Sequence, residues 1–129
     1  MNKDKYLYLY VQRGKLPLAY LLGPRMEDIK AFMGAEIEVK KLTDFNEAYL
    51  ALLKDRDDLP FNRTYVEGGV RKVIRGDFLV FARKDNGQLS TLTPECRKAN
   101  NTFLYPEEFW EDHFGMIHSK KVYLPLSYR

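Results

Sequence analysis

The chain has 129 residues, 21 of them basic and 18 acidic, a formal charge of +3 and one cysteine. That length suits one domain spanning 1–129 with a self-sufficient core, and a lone cysteine excludes an intramolecular disulfide and hence a disulfide-stapled secreted module. The small basic excess does not by itself mark a nucleic-acid binder. No signal-peptide pattern is present and no apolar run approaches about 18 residues, so a cytoplasmic protein with no membrane contact is expected.

From the N-terminus, β-formers alternate over Tyr6–Val11, with Leu7, Leu9 and Val11 on one face and Tyr6, Tyr8 and Tyr10 on the other. Arg13-Gly14-Lys15 reads as a hairpin turn into a strand over Leu18–Leu22, which Gly23-Pro24 ends. A helix is expected over Met26–Met33. Glu27 and Asp28 sit in its first turn, Gly34 is its stop, and Ile29, Phe32 and Met33 face the core. Residues 35–42 alternate as a half-exposed strand, and 48–53 are read as a further strand although their composition also suits a helix.

Val70–Ile74 and Phe78–Ala82 carry the strongest strand patterns and meet at Gly76-Asp77, which suits a bulge or tight turn. Asp85-Asn86-Gly87 is a hairpin signal leading into 89–92. Thr93-Pro94-Glu95 resembles a helix start. Another helix is expected over Pro106–Phe114, then Gly115 and a last strand, Val122–Leu124. The order predicts an α+β fold: a mixed, mostly antiparallel sheet with two or three short helices packed on one face.

The segments MEDIKAFMGAEIEVKKL, LPFNRTYV and VIRGDFLVFARKDNGQLSTLTPE follow a running pattern. It consists of a short helix ending in Gly, an alternating strand, an "lpxNR" turn and "ixGxfxvvxxdxxGxxxxLt". In this the chain resembles a small domain family of phages, plasmids and conjugative elements of Firmicutes, over slightly more than half its length. The family brings no activity or catalytic residues with it. The resemblance implies a setting, a bacterial mobile genetic element, where accessory proteins often inhibit host defence nucleases such as CRISPR effectors.

No phosphate loop, nucleophile elbow or metalloprotease helix is present. Thiol catalysis would need Cys96 beside a base, and His113 and His118 are the only histidines. With Asp112 these residues are also the candidate zinc ligands, although a partner cysteine for a Cys-x-x-Cys is missing. No cofactor is expected. Arg71, Lys72 and Arg75 form a basic strand; Lys40-Lys41, Arg83-Lys84 and Lys120-Lys121 add pairs that could share a phosphate-binding face if their strands are neighbours. The tyrosine row suits either a protein interface or packing beneath the 109–114 helix. Asn62 and Arg63 fall in the family-like turn, where an Asn serves the turn backbone.

The expected function is a non-enzymatic protein-binding module, an anti-CRISPR-like inhibitor of a host defence nuclease acting by direct contact. Its expected contact residues are Tyr6, Tyr8, Tyr10, Arg71, Lys72 and Arg75. The alternatives are a nucleic-acid-binding accessory protein using a basic sheet face and a small metal-dependent or thiol enzyme.

Overall fold

The computed structural model of the chain describes residues 5–42, 48–93 and 101–123. The elements run β1 (Tyr6–Val11), β2 (Leu18–Leu22), α1 (Met26–Met33), β3 (Ile37–Lys41), β4 (Ala48–Leu53) and β5 (Phe61–Glu67). They continue as β6 (Val70–Arg75), β7 (Phe78–Arg83), β8 (Leu89–Ser90), β9 (Glu107–Glu111) and β10 (Ile117–Lys121). The main sheet has the order β2-β1-β7-β4-β3, with β8 also pairing β7. β5–β6 and β9–β10 are separate two-stranded ribbons.

The fold is therefore mostly β, and this corrects the α+β expectation. Every strand pairing among the described residues is antiparallel, so the sheet is not mixed there. Among the described residues one helix packs on the sheet, not two or three. The expected helix start at 93–95 leads into residues outside the described ones. The segment 106–114 is not a helix: β9 occupies it, pairing with β10. Its acidic first turn and closing Gly115 imitate helix signals, but Gly115 has φ +78° in the bend between two strands. A left-handed glycine can end a helix or turn a hairpin, so the residue alone does not decide. The last strand among the described residues spans Ile117–Lys121, ahead of the expected Val122–Leu124, whose Leu124 lies outside the described residues.

The two-residue period of a strand divides the central sheet's side chains between two cores. On one face lie Tyr8, Ala51, Leu79 and Phe81, covered by Ile29 of α1, with Tyr6, Tyr10, Tyr49, Met26, Phe32 and Met33 packed around them. On the other lie Val11, Leu50, Leu52, Phe78, Val80 and Ala82, covered by Tyr65 and Ile74 of the β5–β6 ribbon and by Phe103. A sheet covered on both sides explains why β4 and β7 read as continuous apolar runs. Each large apolar side chain withdrawn completely from water contributes on the order of 1.5–3 kcal/mol.

α1 carries the chain from β2 at one edge of the sheet to β3 at the other, crossing the tyrosine face. Asp28 Oδ2 accepts from the Arg25 amide at its start (3.0 Å), and Gly34 closes it with φ +71°. The tyrosine row is thus packed beneath a helix, but beneath α1 rather than 109–114. Tyr8 is wholly buried and its hydroxyl donates to Gly23 O at 2.8 Å. Burial, with lesser effects from Asp28 and Tyr6, pushes its pKa up to about 12. A folded value above the ordinary 10.0 means that its stabilisation is complete below pH 10 and is lost as the pH rises toward 12. Tyr8→Phe is expected to cost about 1 kcal/mol near neutrality and to flatten that alkaline loss. Urea melts near neutrality and at about pH 11 check both parts.

β6 and β7, adjacent in sequence, belong to different sheets, so Gly76 is where the chain changes layers. Gly76 has φ +78°, and a Cβ there would lie 2.6 Å from Leu59 Cδ1. Among the described residues no helix is long and apolar enough to cross a membrane.

Candidate protein-interaction surface

The β9–β10 hairpin lies against the side of the β5–β6 ribbon that faces away from the central sheet. Glu107 and Phe109 alternate with Glu108 and Trp110, and the first pair turns toward the ribbon. Phe109 packs on Phe61 at 5.3 Å between ring centroids. The Glu107 carboxylate, nearly buried, accepts from the Thr64 amide (2.8 Å), the Thr64 hydroxyl (2.6 Å) and the Ser119 hydroxyl (2.9 Å). Arg71 reinforces the joint by donating to Ile117 O (2.9 Å) and Ser119 Oγ (2.7 Å).

The hairpin bend is built on Asp112. Its Oδ1 accepts from the amides of Phe114 (2.8 Å) and Met116 (3.0 Å). Its Oδ2 lies 2.7 Å from His118 Nε2, and an ionised carboxylate only accepts, so Nε2 carries the proton of that bond. The hydrogen bond from His118, then those from Met116 and Phe114, hold Asp112 below the usual aspartate pKa. The His118 ring in turn stacks on Trp110, its cross-strand neighbour, at 5.7 Å.

This framework holds a row of large apolar side chains in water. Trp110 is 50% exposed, Phe114 at the bend 88% and Met116 62%. Tyr123, beyond β10, is also exposed and packs edge-on against Tyr105 at 4.7 Å. Several large apolar side chains held exposed on a hydrogen-bonded hairpin suit a partner site, and Trp is among the residues that dominate such sites.

Beside the hairpin opens a cleft of about 800 Å³ whose lining includes Arg13, Asp58, Phe61, Arg75, Glu108 and Phe109. The Arg75 guanidinium lies 4.1 Å over the Phe61 ring and donates to Leu59 O at 2.9 Å. The cleft therefore has an aromatic floor and charges of both signs. Glu108, at the cleft, shares its face of β9 with Trp110 two residues on.

Beneath the cleft sits a polar lock that sequence reading places in a turn. Asn62 and Arg63 are instead consecutive residues of β5 with no exposed surface. The register of β5 against β6 slips between Phe61 and Arg63, and a bulge of this kind turns two successive side chains inward. Asn62 Nδ2 donates to Val11 O (3.0 Å) and Gly76 O (2.9 Å). Arg63 donates to Phe103 O (3.1 Å), Lys15 O (2.6 Å) and Asn62 Oδ1 (2.8 Å). Burial lowers its pKa to about 10, against the opposing pull of Glu107 and Asp77. The pair ties β5 to the β1–β2 turn and to the segment before β9.

Comparison with protein-family models, with curated proteins and with solved structures finds no match to this chain.

Tyr6, Tyr8 and Tyr10 stay together, as the alternation predicts, with Tyr8 inside the core and the other two half-buried. Arg71, Lys72 and Arg75 do not share a face. Arg71 and Arg75 lie on the hairpin side of β6, each engaged with backbone carbonyls, while Lys72 lies on the opposite side, exposed. The basic strands are not neighbours either: β4 separates β3 from β7, and among the described residues β6 pairs only with β5. Lys40 donates to Glu67 at 2.9 Å, and that hydrogen bond raises its pKa.

Of the metal candidates, His113 and His118 lie in the β9–β10 hairpin and Cys96 lies outside the described residues. Among the described residues no group of three or more His, Cys, Asp or Glu is placed to hold a metal ion. Trp110, Phe114 and Met116 escaped sequence reading because a helix over 106–114 would have turned part of the row inward. The legible signal was Asp112…Gly115 between Phe-Trp and Ile117, which also fits a hairpin bend.

Proposed function

We propose that this chain works by binding another protein through the solvent-facing side of the β9–β10 hairpin. Trp110 and Phe114 are the anchors, and the cleft beside the hairpin receives a partner side chain. The observation that carries this reading is the exposure of Trp110, Phe114 and Met116 on a hairpin fixed by Glu107 and Asp112. A rigid aromatic gives large contact area at low entropy cost. The resemblance of the central segment to a mobile-element family supports a bacterial setting and, as partner, a host defence nuclease inhibited by direct contact.

The test is affinity capture from a bacterial lysate with nuclease added, using the chain and its Trp110→Ala variant. A discrete protein is expected to survive nuclease and moderate salt. Trp110→Ala is expected to weaken its binding by about 2 kcal/mol, roughly thirtyfold, with the fold unchanged by circular dichroism. A partner set lost on nuclease treatment would replace this reading with nucleic-acid binding, which loses affinity steeply with salt.

A further inference from the structure

The two edges of the main sheet differ in chemistry. β3, at one edge, has the sequence IEVKK, and charged side chains engage around it: Lys40 with Glu67 at 2.9 Å, Arg56 with Glu38 at 2.7 Å. Charges along an edge strand are a common guard against pairing with another chain. β2, at the other edge, has the sequence LAYLL and carries no charge. One side of β2 pairs with β1, and among the described residues no strand pairs with the other. Leu18, Tyr20 and Leu21 are exposed there, Leu21 to 64%.

An edge strand exposes a row of backbone donors and acceptors that only another strand satisfies fully. The sequence of β2 reads nearly the same in both directions about Tyr20, so a second copy of itself matches it. Antiparallel pairing of two copies about a twofold axis at Tyr20 sets Tyr20 opposite Tyr20, Leu18 opposite Leu22 and Ala19 opposite Leu21. No like charges meet and each apolar side chain faces another, which is the self-complementarity a twofold interface requires. The side chains on the helix face are braced: Tyr20 packs edge-on against Tyr10 at 6.0 Å and tilted against Phe32 at 4.9 Å. We infer that the free edge of β2 pairs antiparallel with β2 of a second copy of this chain, joining two main sheets into one. This interface lies on elements separate from the hairpin surface and does not depend on the partner proposed for it.

The test is sedimentation equilibrium on the full chain together with two variants. The unaltered chain is expected to dimerise. Leu21→Lys places a charge at the edge without altering the β1 pairing, and is expected to raise the dimer dissociation constant about tenfold or more at unchanged circular dichroism. Tyr20→Cys in a Cys96→Ser background is expected to form a disulfide-linked dimer under mild oxidation, because directly opposed residues have Cα atoms roughly 4.5–5.5 Å apart. A chain that stays monomeric at high concentration overturns the inference. So does a dimer that Leu21→Lys leaves intact, or one that captures a strand of a different protein at β2 in preference to its own copy.

Discussion

Arg63→Ala is expected to destabilise this protein by about 4 kcal/mol, the largest loss from any single polar substitution in it. The guanidinium has no exposed surface and its hydrogen-bond acceptors are carbonyl oxygens in three separate parts of the chain: Gln12 and Lys15, Asn62, and Phe103. Truncation strands those carbonyls and leaves a side-chain-sized void beside Phe103, and the two costs add. For a chain of this size the fall in Tm is roughly 15 °C. Arg63→Lys keeps a charge but not the planar fork, and one ammonium cannot reach carbonyls spread around a guanidinium. It is expected to recover less than half of the loss. Urea unfolding with an unchanged slope measures both.

Glu107→Ala is expected to cost about 3 kcal/mol and, unlike Arg63→Ala, to act on one boundary. Its carboxylate accepts three hydrogen bonds, two from Thr64 on β5 and one from Ser119 on β10. Removing it leaves the part-buried Thr64 amide without its acceptor and frees the β9–β10 hairpin from the ribbon. Glu107→Gln keeps one oxygen but sets an amide donor against a donor, so it recovers only part. The local nature of the change is visible in two readouts: faster proteolysis at the exposed bend 112–116, and altered Trp110 fluorescence at denaturant concentrations where the main sheet is intact. Partner binding is expected to fall with it, although Glu107 itself is withdrawn from the surface.

Several elements of the fold were legible because their signals are local. Alternation over 6–11, the turn at Gly14, the apolar spacing and stop of 26–33, and Asp85-Asn86-Gly87 each specify an element without reference to the rest of the chain. Alternation also grouped Tyr6, Tyr8 and Tyr10 on one face, and only the return of α1 across that face shows what covers them. The failures are tertiary. Residues 106–114 carry acidic and aromatic residues that suit either state, and they become a strand because 117–121 pairs with them and Thr64 takes the Glu107 carboxylate. Asn62-Arg63 has no local mark of burial; a bulge turns both inward, where distant carbonyls satisfy them. The basic strand dispersed for a similar reason, since a period of two sends Lys72 away from Arg71 and Arg75.

The outward side of the β9–β10 hairpin, proposed as a protein-binding surface, is open to test by photo-crosslinking. A photoreactive residue replacing Phe114, in nuclease-treated bacterial lysate, is expected to capture one discrete protein, while the same probe replacing exposed Glu36 beyond α1 captures none. Capture from position 36 but not from 114, or no capture from 114 of a partner that the chain demonstrably binds, would contradict the account.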